Sequence, residues 1–217
     1  MVDGTYNASD AKYITASVQN RNRLITTSFV PLLKRYGNNP HILAWDAINE
    51  PNWLMEQDHR LVSPIQDYIR KFTAAVHTYT DQLASVGLGY AKDRSWMKGL
   101  GLDYYTFHYY SWMSRYPDFD VFKHRASYWG MDKPIVIGEM DATVPNTYEA
   151  LYSLGYSGAW GWSYNYNRTA DKLQVDWPLF SAFASTHRSE WNDQPTRHAS
   201  IPPGSPASGQ NTTRLAM

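Results

Sequence analysis

Two apolar segments of the chain each lead into a glutamate, and they organise the predicted fold. Residues 41–49 (HILAWDAIN) are followed by Glu50 and Pro51, and residues 134–138 (PIVIG) are followed by Glu139. Apolar runs of this length are typical of strands that are buried on both faces of a parallel sheet. The pattern therefore predicts two buried strands, each of which presents one carboxylate at its carboxyl end.

Strand-like and helix-like segments alternate along the rest of the chain. Further strands are predicted at residues 84–90, 102–110 and 156–163, and residues 51–63 are predicted to form a loop. Helical spacing of apolar residues predicts helices at residues 21–36, 63–83, 93–100, 119–129, 146–154 and 177–187. In the first of these helices Pro31 predicts a kink or a new start, and Gly37 predicts the end.

The alternation predicts an α/β fold with about five parallel strands joined by crossover connections. Functional residues at the carboxyl ends of such strands are characteristic of a (β/α) barrel, but a complete barrel needs roughly 250 residues. Only 40 residues precede the first predicted strand here, so we expect an incomplete barrel over residues 1–189. Residues 190–217 are rich in Pro, Ser and Gly, and they predict a tail.

Composition excludes several classes of function. The 20 basic and 20 acidic residues cancel, which predicts neither nucleic-acid binding nor attraction to an anionic membrane. No apolar run is long enough to span a bilayer, and the N-terminus lacks the pattern of a signal peptide, which leaves the compartment open. Without cysteine, a metal-spaced histidine pair or a phosphate-binding glycine loop, the sequence predicts no metal and no cofactor.

Aromatic residues are abundant, with 9 Trp, 17 Tyr and 7 Phe among 217 residues. Flat aromatic rings stack on the apolar faces of sugars, although they also fill hydrophobic cores. Carbohydrate binding is therefore one of two interpretations that the composition leaves open. Trp53, Trp112 and Trp129 could line a sugar site or simply pack.

The two glutamates fit one specific chemistry. Hydrolysis of a glycosidic bond uses one carboxylic acid to protonate the leaving oxygen and a second carboxylate to attack or to activate water. Glu50 and Glu139 would meet on one rim of the barrel, whereas the simpler alternative makes each an exposed loop acid. Asn49-Glu50-Pro51 directly after a buried strand favours the first interpretation.

Four motifs resemble those of clan A glycoside hydrolases, in particular family 5, the cellulase and mannanase family. Residues 45–51 (WDAINEP) resemble its acid/base motif, and residues 137–139 (IGE) resemble its nucleophile motif on the seventh strand. Residues 107–110 (FHYY) and 158–163 (GAWGWS) resemble its sixth and eighth strands. The resemblance implies a TIM-type barrel that retains strands four to eight and lacks the first three strand–helix units.

The same resemblance implies residue roles. Glu50 would be the general acid/base and Glu139 the nucleophile of a double displacement that retains the anomeric configuration. Asn49 would hydrogen-bond the sugar 2-hydroxyl. His108 and Tyr110, two apart and hence on one strand face, would orient the carboxylates.

Trp162 would form the floor of the sugar site, with Trp160 on the same strand face as the other candidate. Asp46 and Asp141 are interpreted as scaffold acids. The arginine and histidine that the family carries on its second and third strands have no counterpart here. A catalytically impaired remnant that binds carbohydrate is therefore the alternative to a retaining β-glycosidase.

An open arc of strands would expose two sheet edges and an apolar inner face. We therefore expect a second copy of the chain, or the terminal segments, to cover the open side. The missing units would also remove distal sugar subsites, which favours short β-glucosides, β-galactosides or β-mannosides.

Overall fold

Five parallel strands form one sheet whose spatial order follows the chain, from β1 to β5. The computed structural model describes residues 8–141, 146–163 and 177–188. The strands are β1 Ala44–Asn49, β2 Leu83–Leu88, β3 Tyr105–Tyr109, β4 Ile135–Met140 and β5 Gly158–Gly161. All five predicted strands are present, and all four neighbouring pairs are parallel. The predicted fold class, an incomplete (β/α) barrel, is confirmed.

Helices flank this sheet and join some of its strands. They are α1 Ala8–Ala16, α2 Val18–Leu24, α3 Val30–Tyr36, α4 Asn52–Gln57, α5 Val62–Tyr79, α6 Thr147–Ser153 and α7 Trp177–Thr186. Helices α4 and α5 connect β1 to β2, and α6 connects β4 to β5. The other two connections consist of short 3₁₀ turns, one before β3 (Arg94–Met97) and three after it.

The helical segment before β1 is longer than predicted and contains a wide turn. Helices α2 and α3 are joined by a π-helical turn at Ile25–Phe29, in which the Val30 amide donates to the Ile25 carbonyl. Pro31 lies directly after this turn, in the first turn of α3, where its missing N–H is least damaging. Gly37 ends the helix as predicted.

The predicted loop at residues 51–63 is wrong. Pro51 adopts a helical φ of −64° and precedes α4, which carries Asn52 and Trp53 directly behind Glu50. A 3₁₀ turn at His59–Leu61 follows, and the Asp58 carboxylate accepts its Arg60 amide. The region behind the first candidate glutamate is therefore regular structure.

The predicted helix at residues 119–129 is also wrong. Two 3₁₀ turns, Val121–Lys123 and Ala126–Trp129, occupy it. The hydroxyl of Tyr156 lies 3.0 Å and 3.1 Å from the carbonyl oxygens of Val121 and His124 and accepts the Trp129 indole N–H at 2.7 Å. Contacts to Tyr156, in the turn before β5, thus engage carbonyl groups that a continuous helix would have bonded within itself.

Alternation along β3 separates the core from the inner face of the arc. Phe107 and Tyr109 are buried and pack against the rings of Trp129 and Phe122. The intervening His108 points to the opposite face, as the period of two requires. The hydrophobic core therefore lies on the helix side of the sheet, and the inner face carries polar side chains.

Among the residues that the structure describes, β1 and β5 each pair with a single neighbour, so the described arc has two edges without a strand partner. On the β1 side the exposed inner-face residues are Asp46 and Asn49, so the face is polar there rather than apolar as predicted. Trp160 on β5 is also exposed. Covering of this open side by a second copy of the chain stays a prediction. No helix in the described ranges is long and apolar enough to cross a membrane.

Helix α5 is anchored to β1 by one buried hydrogen bond. The Tyr68 hydroxyl, on a side chain that is 2% exposed, donates to the Ala47 carbonyl at 2.8 Å. In Tyr68→Phe the carbonyl would lose this donor while the ring stays in place. We expect the free energy of unfolding to fall by about 1–2 kcal/mol, as measured by urea denaturation.

Tyr79→Phe is the matched control, because Tyr79 lies at the end of the same helix and is 39% exposed. Its denaturation midpoint should equal that of the wild type. Equal midpoints for Tyr68→Phe and Tyr79→Phe would contradict the anchoring role.

Candidate active site

The carboxyl ends of β1, β3 and β4 bring three ionisable side chains together. One carboxylate oxygen of Glu50, one of Glu139 and a ring nitrogen of His108 all lie within 4.8 Å of one another. Although Glu50 is 58 or more positions from the other two along the chain, parallel strands end at the same edge of the sheet. The fold therefore assembles the two glutamates and the histidine into one site.

The imidazole of His108 lies between the two carboxylates. Its Nδ1 is 2.8 Å from Glu50 Oε1 and 3.4 Å from Glu139 Oε2. The ring is 3% exposed, whereas the two carboxylates are 24% and 16% exposed and so remain reachable from solvent. A hydrogen on Nδ1 would be donated toward both carboxylates, which fixes the ring orientation.

Tyr110 contacts the second glutamate directly. Its hydroxyl donates to Glu139 Oε2 at 2.9 Å. Glu139 Oε2 therefore faces both the tyrosine hydroxyl and the histidine ring, and both are donors that favour an ionised carboxylate. His108 and Tyr110 therefore contact the carboxylates, and the orienting roles that the family resemblance implies for them stay a prediction.

Irregularities in the strand pairing change the directions of the side chains at the site. The pairing of β1 with β2 shifts between Asp46 and Asn49, and the pairing of β3 with β4 shifts between Phe107 and His108. Glu50 then adopts a left-handed φ of 47°, and its amide donates to the Gly87 carbonyl at 2.8 Å. Bulges and left-handed residues are common at catalytic sites because they redirect side chains.

Two glycines on the β2 side make room for the site. A Cβ on Gly87 would lie 2.7 Å from His108 Nε2, and one on Gly89 would lie 2.5 Å from Trp53 Nε1. Neither distance is possible for a real side chain. The sequence predicted only a strand at residues 84–90. The positions of its glycines do not reveal which aromatic or imidazole ring packs against them.

Trp53 is a site residue whose role the sequence left open between lining the site and packing. Its indole Nε1 donates to Glu50 Oε2 at 3.1 Å. The position of Trp53 three residues after Glu50 would have suggested this contact if a helix had been predicted there.

The other predicted sugar contacts are Asn49, Trp160 and Trp162, and all three are exposed. Asn49 is exposed, with its Oδ1 3.4 Å from the place that a Gly87 Cβ would take. Trp160 and Trp162 are both 37% exposed, so exposure does not distinguish which of them would stack on a sugar.

Asp141 and Asp46 support the backbone around the site. Asp141 accepts the Ser111 amide with both carboxylate oxygens at 3.0 Å, which ties the segment after β3 to the end of β4. Asp46 accepts the amides of Ile48 and Gly87 at 3.2 Å and 3.3 Å. Desolvation by the surrounding protein raises the pKa of Asp46 to about 6. Its side chain is nevertheless exposed at the open side, so that desolvation is incomplete.

The Glu50, His108 and Glu139 trio also has the ligand types of a divalent-metal site. The Nδ1 atom already lies 2.8 Å from one carboxylate oxygen and 3.4 Å from the other. In the tautomer that carries its hydrogen on Nδ1, the ring donates to these oxygens and does not offer Nδ1 to an ion. That tautomer favours proton transfer over metal binding.

A sequence comparison places part of the chain beside a known enzyme. The chain is 37% identical over 68 residues to a mannan endo-1,4-beta-mannosidase of Mytilus edulis, a match that covers 29% of this chain and 18% of that protein. No protein-family model matches the sequence.

Solved structures with the same fold include three β-mannanases. The TM-score is 0.66 to the enzyme of the blue mussel Mytilus edulis (18% identity, 87% of this chain and 65% of that one). The TM-score to the enzyme of the sea hare Aplysia kurodai is 0.61, with 20% identity, and the match covers 75% of this chain and 60% of that one. The TM-score to the Eisenia fetida enzyme is 0.54, with 18% identity, and the match covers 75% of this chain and 57% of that one. The resemblance to family 5-like clan A glycoside hydrolases is confirmed. The chain spans less than two thirds of the length of these structures.

The contact between Gly87 and His108 can be tested by a double-mutant cycle. In Gly87→Ala the new methyl group would push the imidazole away from the glutamates, and we expect a loss of about 1–3 kcal/mol in the free energy of unfolding. In a His108→Ala background the same change should be nearly neutral, because the ring is gone. An equal loss in both backgrounds would show that the methyl group meets another obstacle.

A second carboxylate pair next to the site predicts a pH dependence. Burial, together with the nearby Glu56 charge, raises the pKa of Asp93 to about 6 from an ordinary value of 3.8. Between these values the folded protein holds a proton that the unfolded chain releases, so stability falls as the pH rises from about 4 to about 6. Asp46, whose pKa is also about 6, acts in the same direction.

Asp93→Asn should make the folding stability less dependent on pH in that window, as measured by urea denaturation at a series of pH values. Asp118→Asn, a change at an exposed acid of the same region, is the control and should keep the wild-type slope. An unchanged slope in Asp93→Asn would contradict the assignment.

Proposed function

We propose that this chain is a retaining β-glycoside hydrolase, with Glu50 as general acid/base and Glu139 as nucleophile. The observation that carries the proposal is the distance within the pair, whose nearest oxygens lie within 4.8 Å. Retaining enzymes hold their carboxyl groups about 5–5.5 Å apart, whereas inverting enzymes need about 6.5–9.5 Å to admit a water molecule. Nearest oxygens within 4.8 Å support the retaining geometry.

Each carboxylate has its own part in the proposed mechanism. Glu139 attacks the anomeric carbon as the glycosidic bond breaks, and Glu50 gives its proton to the leaving oxygen. The product of this step is an ester between Glu139 and the sugar. Glu50, now ionised, takes a proton from water, and the water oxygen replaces Glu139 at the anomeric carbon. Two inversions leave the original β configuration.

The donors around the pair suit this sequence of events. Tyr110 and His108 stabilise the negative charge of Glu139 before attack and would release it as the ester forms. His108 also contacts Glu50 Oε1, so one ring links the two carboxylates electrostatically. Loss of the Glu139 charge favours the ionised Glu50 that the second step needs.

For the substrate we propose β-1,4-linked mannose glycans, by analogy with the β-mannanases that share the fold. Asn49 would bind the 2-hydroxyl, and Trp162 or Trp160 would stack on the sugar ring. The open side beside Asp46 and Asn49 offers few walls for remote sugar units, which favours short substrates. Covering of the open side by a second copy, and the division at residue 190, are further proposals; residues 189–217 lie outside the described ranges.

The deciding experiment compares the wild type, Glu139→Ala and Glu50→Ala on aryl β-mannosides, β-glucosides and β-galactosides. Both variants should lose activity, by about 100- to 10,000-fold for Glu50→Ala on phenyl glycosides that need acid catalysis. Azide should rescue Glu139→Ala and give the α-glycosyl azide, because a single displacement inverts the anomeric carbon. Azide should rescue Glu50→Ala with the β-glycosyl azide, formed after the ester intermediate.

The product anomers separate the two roles. Exchange of the two anomers between the variants would reverse the assignment of acid/base and nucleophile. A folded wild type that hydrolyses none of these glycosides but binds mannooligosaccharides would support the carbohydrate-binding remnant instead.

A further inference from the structure

The two oxygens of Glu50 have different hydrogen-bond donors. His108 Nδ1 lies 2.8 Å from Oε1, and the indole Nε1 of Trp53 donates to Oε2 at 3.1 Å. Trp53 lies in the first turn of α4, directly after the left-handed Glu50. The carboxylate is therefore held at both oxygens, and its plane is set by one ring from β3 and one from α4.

The indole of Trp53 is itself tightly located. Gly89 lies so close that a Cβ there would be 2.5 Å from Nε1. The Tyr90 ring meets the indole edge-on, with ring centroids 4.8 Å apart. The Gly89 amide donates at 2.9 Å to Oδ1 of the fully buried Asn52, which fixes α4 against the end of β2. Such support reduces the entropy lost when the indole engages the glutamate.

The chemistry of an indole differs from that of a histidine at this place. An indole N–H only donates and does not titrate, so it interacts more strongly with an ionised carboxylate than with a protonated one. It also leaves Oε1 as the oxygen that shares a proton with other groups. A donor of this kind favours proton release from an acid catalyst and keeps it ionised for the base step.

We propose that Trp53 is a positioning residue for Glu50, which holds Oε2 through its indole N–H and sets the pH range in which the carboxyl group keeps its proton. The catalytic part of this inference rests on the proposed hydrolase function. The hydrogen bond and its effect on the titration of Glu50 do not depend on it.

The test uses the full chain and removes only the N–H. Trp53→Phe keeps an aromatic ring against Tyr90 and loses the donor. Trp45→Phe is the matched control, because Trp45 lies on β1 and its Nε1 donates to Gln82 Oε1 at 2.5 Å, away from the two carboxylates. Each variant loses one indole hydrogen bond to a side chain.

The first readout is NMR of protein labelled with ¹³C at the glutamate carboxyl carbons, with Glu50→Gln used to assign the Glu50 signal. Glu50 should titrate about one pH unit higher in Trp53→Phe than in the wild type, because a hydrogen bond to a charged group is lost. In Trp45→Phe the midpoint should not move. An unmoved Glu50 midpoint in folded Trp53→Phe would overturn the inference, whether or not the protein hydrolyses glycosides.

The second readout is kinetic. Trp53→Phe should lower kcat/KM by about tenfold on a phenyl β-glycoside, which needs acid catalysis, and by less than about twofold on a dinitrophenyl β-glycoside, which does not. The basic limb of the pH profile should move to higher pH. Equal losses on both substrates would indicate a merely structural role, and a wild type inactive on both would refute the proposed function while the titration still decides the role of Trp53.

Gly89→Ala provides a second variant if Trp53→Phe does not fold. Its methyl group would displace the Trp53 Nε1 without removing the indole. The Glu50 midpoint should rise in the same direction. A midpoint unchanged from the wild type would again overturn the inference.

Discussion

The candidate site depends on one imidazole placed between two carboxylates. Oxygens of Glu50 and Glu139 within 4.8 Å repel each other by about 3 kcal/mol or more at an effective dielectric constant of 20. The Nδ1 atom of His108 offsets this repulsion because it lies 2.8 Å and 3.4 Å from the two groups. The ring is buried, so it cannot swing away to water when the charges change. Without this contact the two strand ends would bring together charges of the same sign.

Other features of the site follow from the space that this ring requires. His108 can lie across β2 only because residue 87 has no side chain, and the shifted register of β1 turns Glu50 toward the ring. Gly89 likewise leaves room for a ring, because the indole of Trp53 packs against its backbone. The site is therefore built from small residues on β2 as much as from reactive residues on its neighbours. Substitutions at these glycines would act on the chemistry without touching a reactive group.

Sequence reasoning found the features that short-range patterns encode. Apolar runs located the five strands, and the residues at two strand ends indicated that Glu50 and Glu139 would meet, while the family resemblance added His108. Sequence reasoning missed the helix behind Glu50, because residues 51–63 were interpreted as a loop although Pro51 starts a helix well. It also predicted a helix at 119–129, where the Tyr156 hydroxyl contacts two backbone carbonyls from the turn before β5. Contacts of this kind are set by the tertiary structure, and no local propensity records them.

The strand order of the sheet has a consequence for how the chain folds. In a closed barrel the last strand must find the first, which requires the ends of a long chain segment to meet before any pairing compensates the lost entropy. Here each described strand pairs with the next one along the chain, from β1 through β5. Contacts that are local in sequence favour fast folding. The described strands can therefore pair one neighbour at a time, and the four that run from β1 to β4 are enough to bring the carboxyl ends of β1 and β4 together.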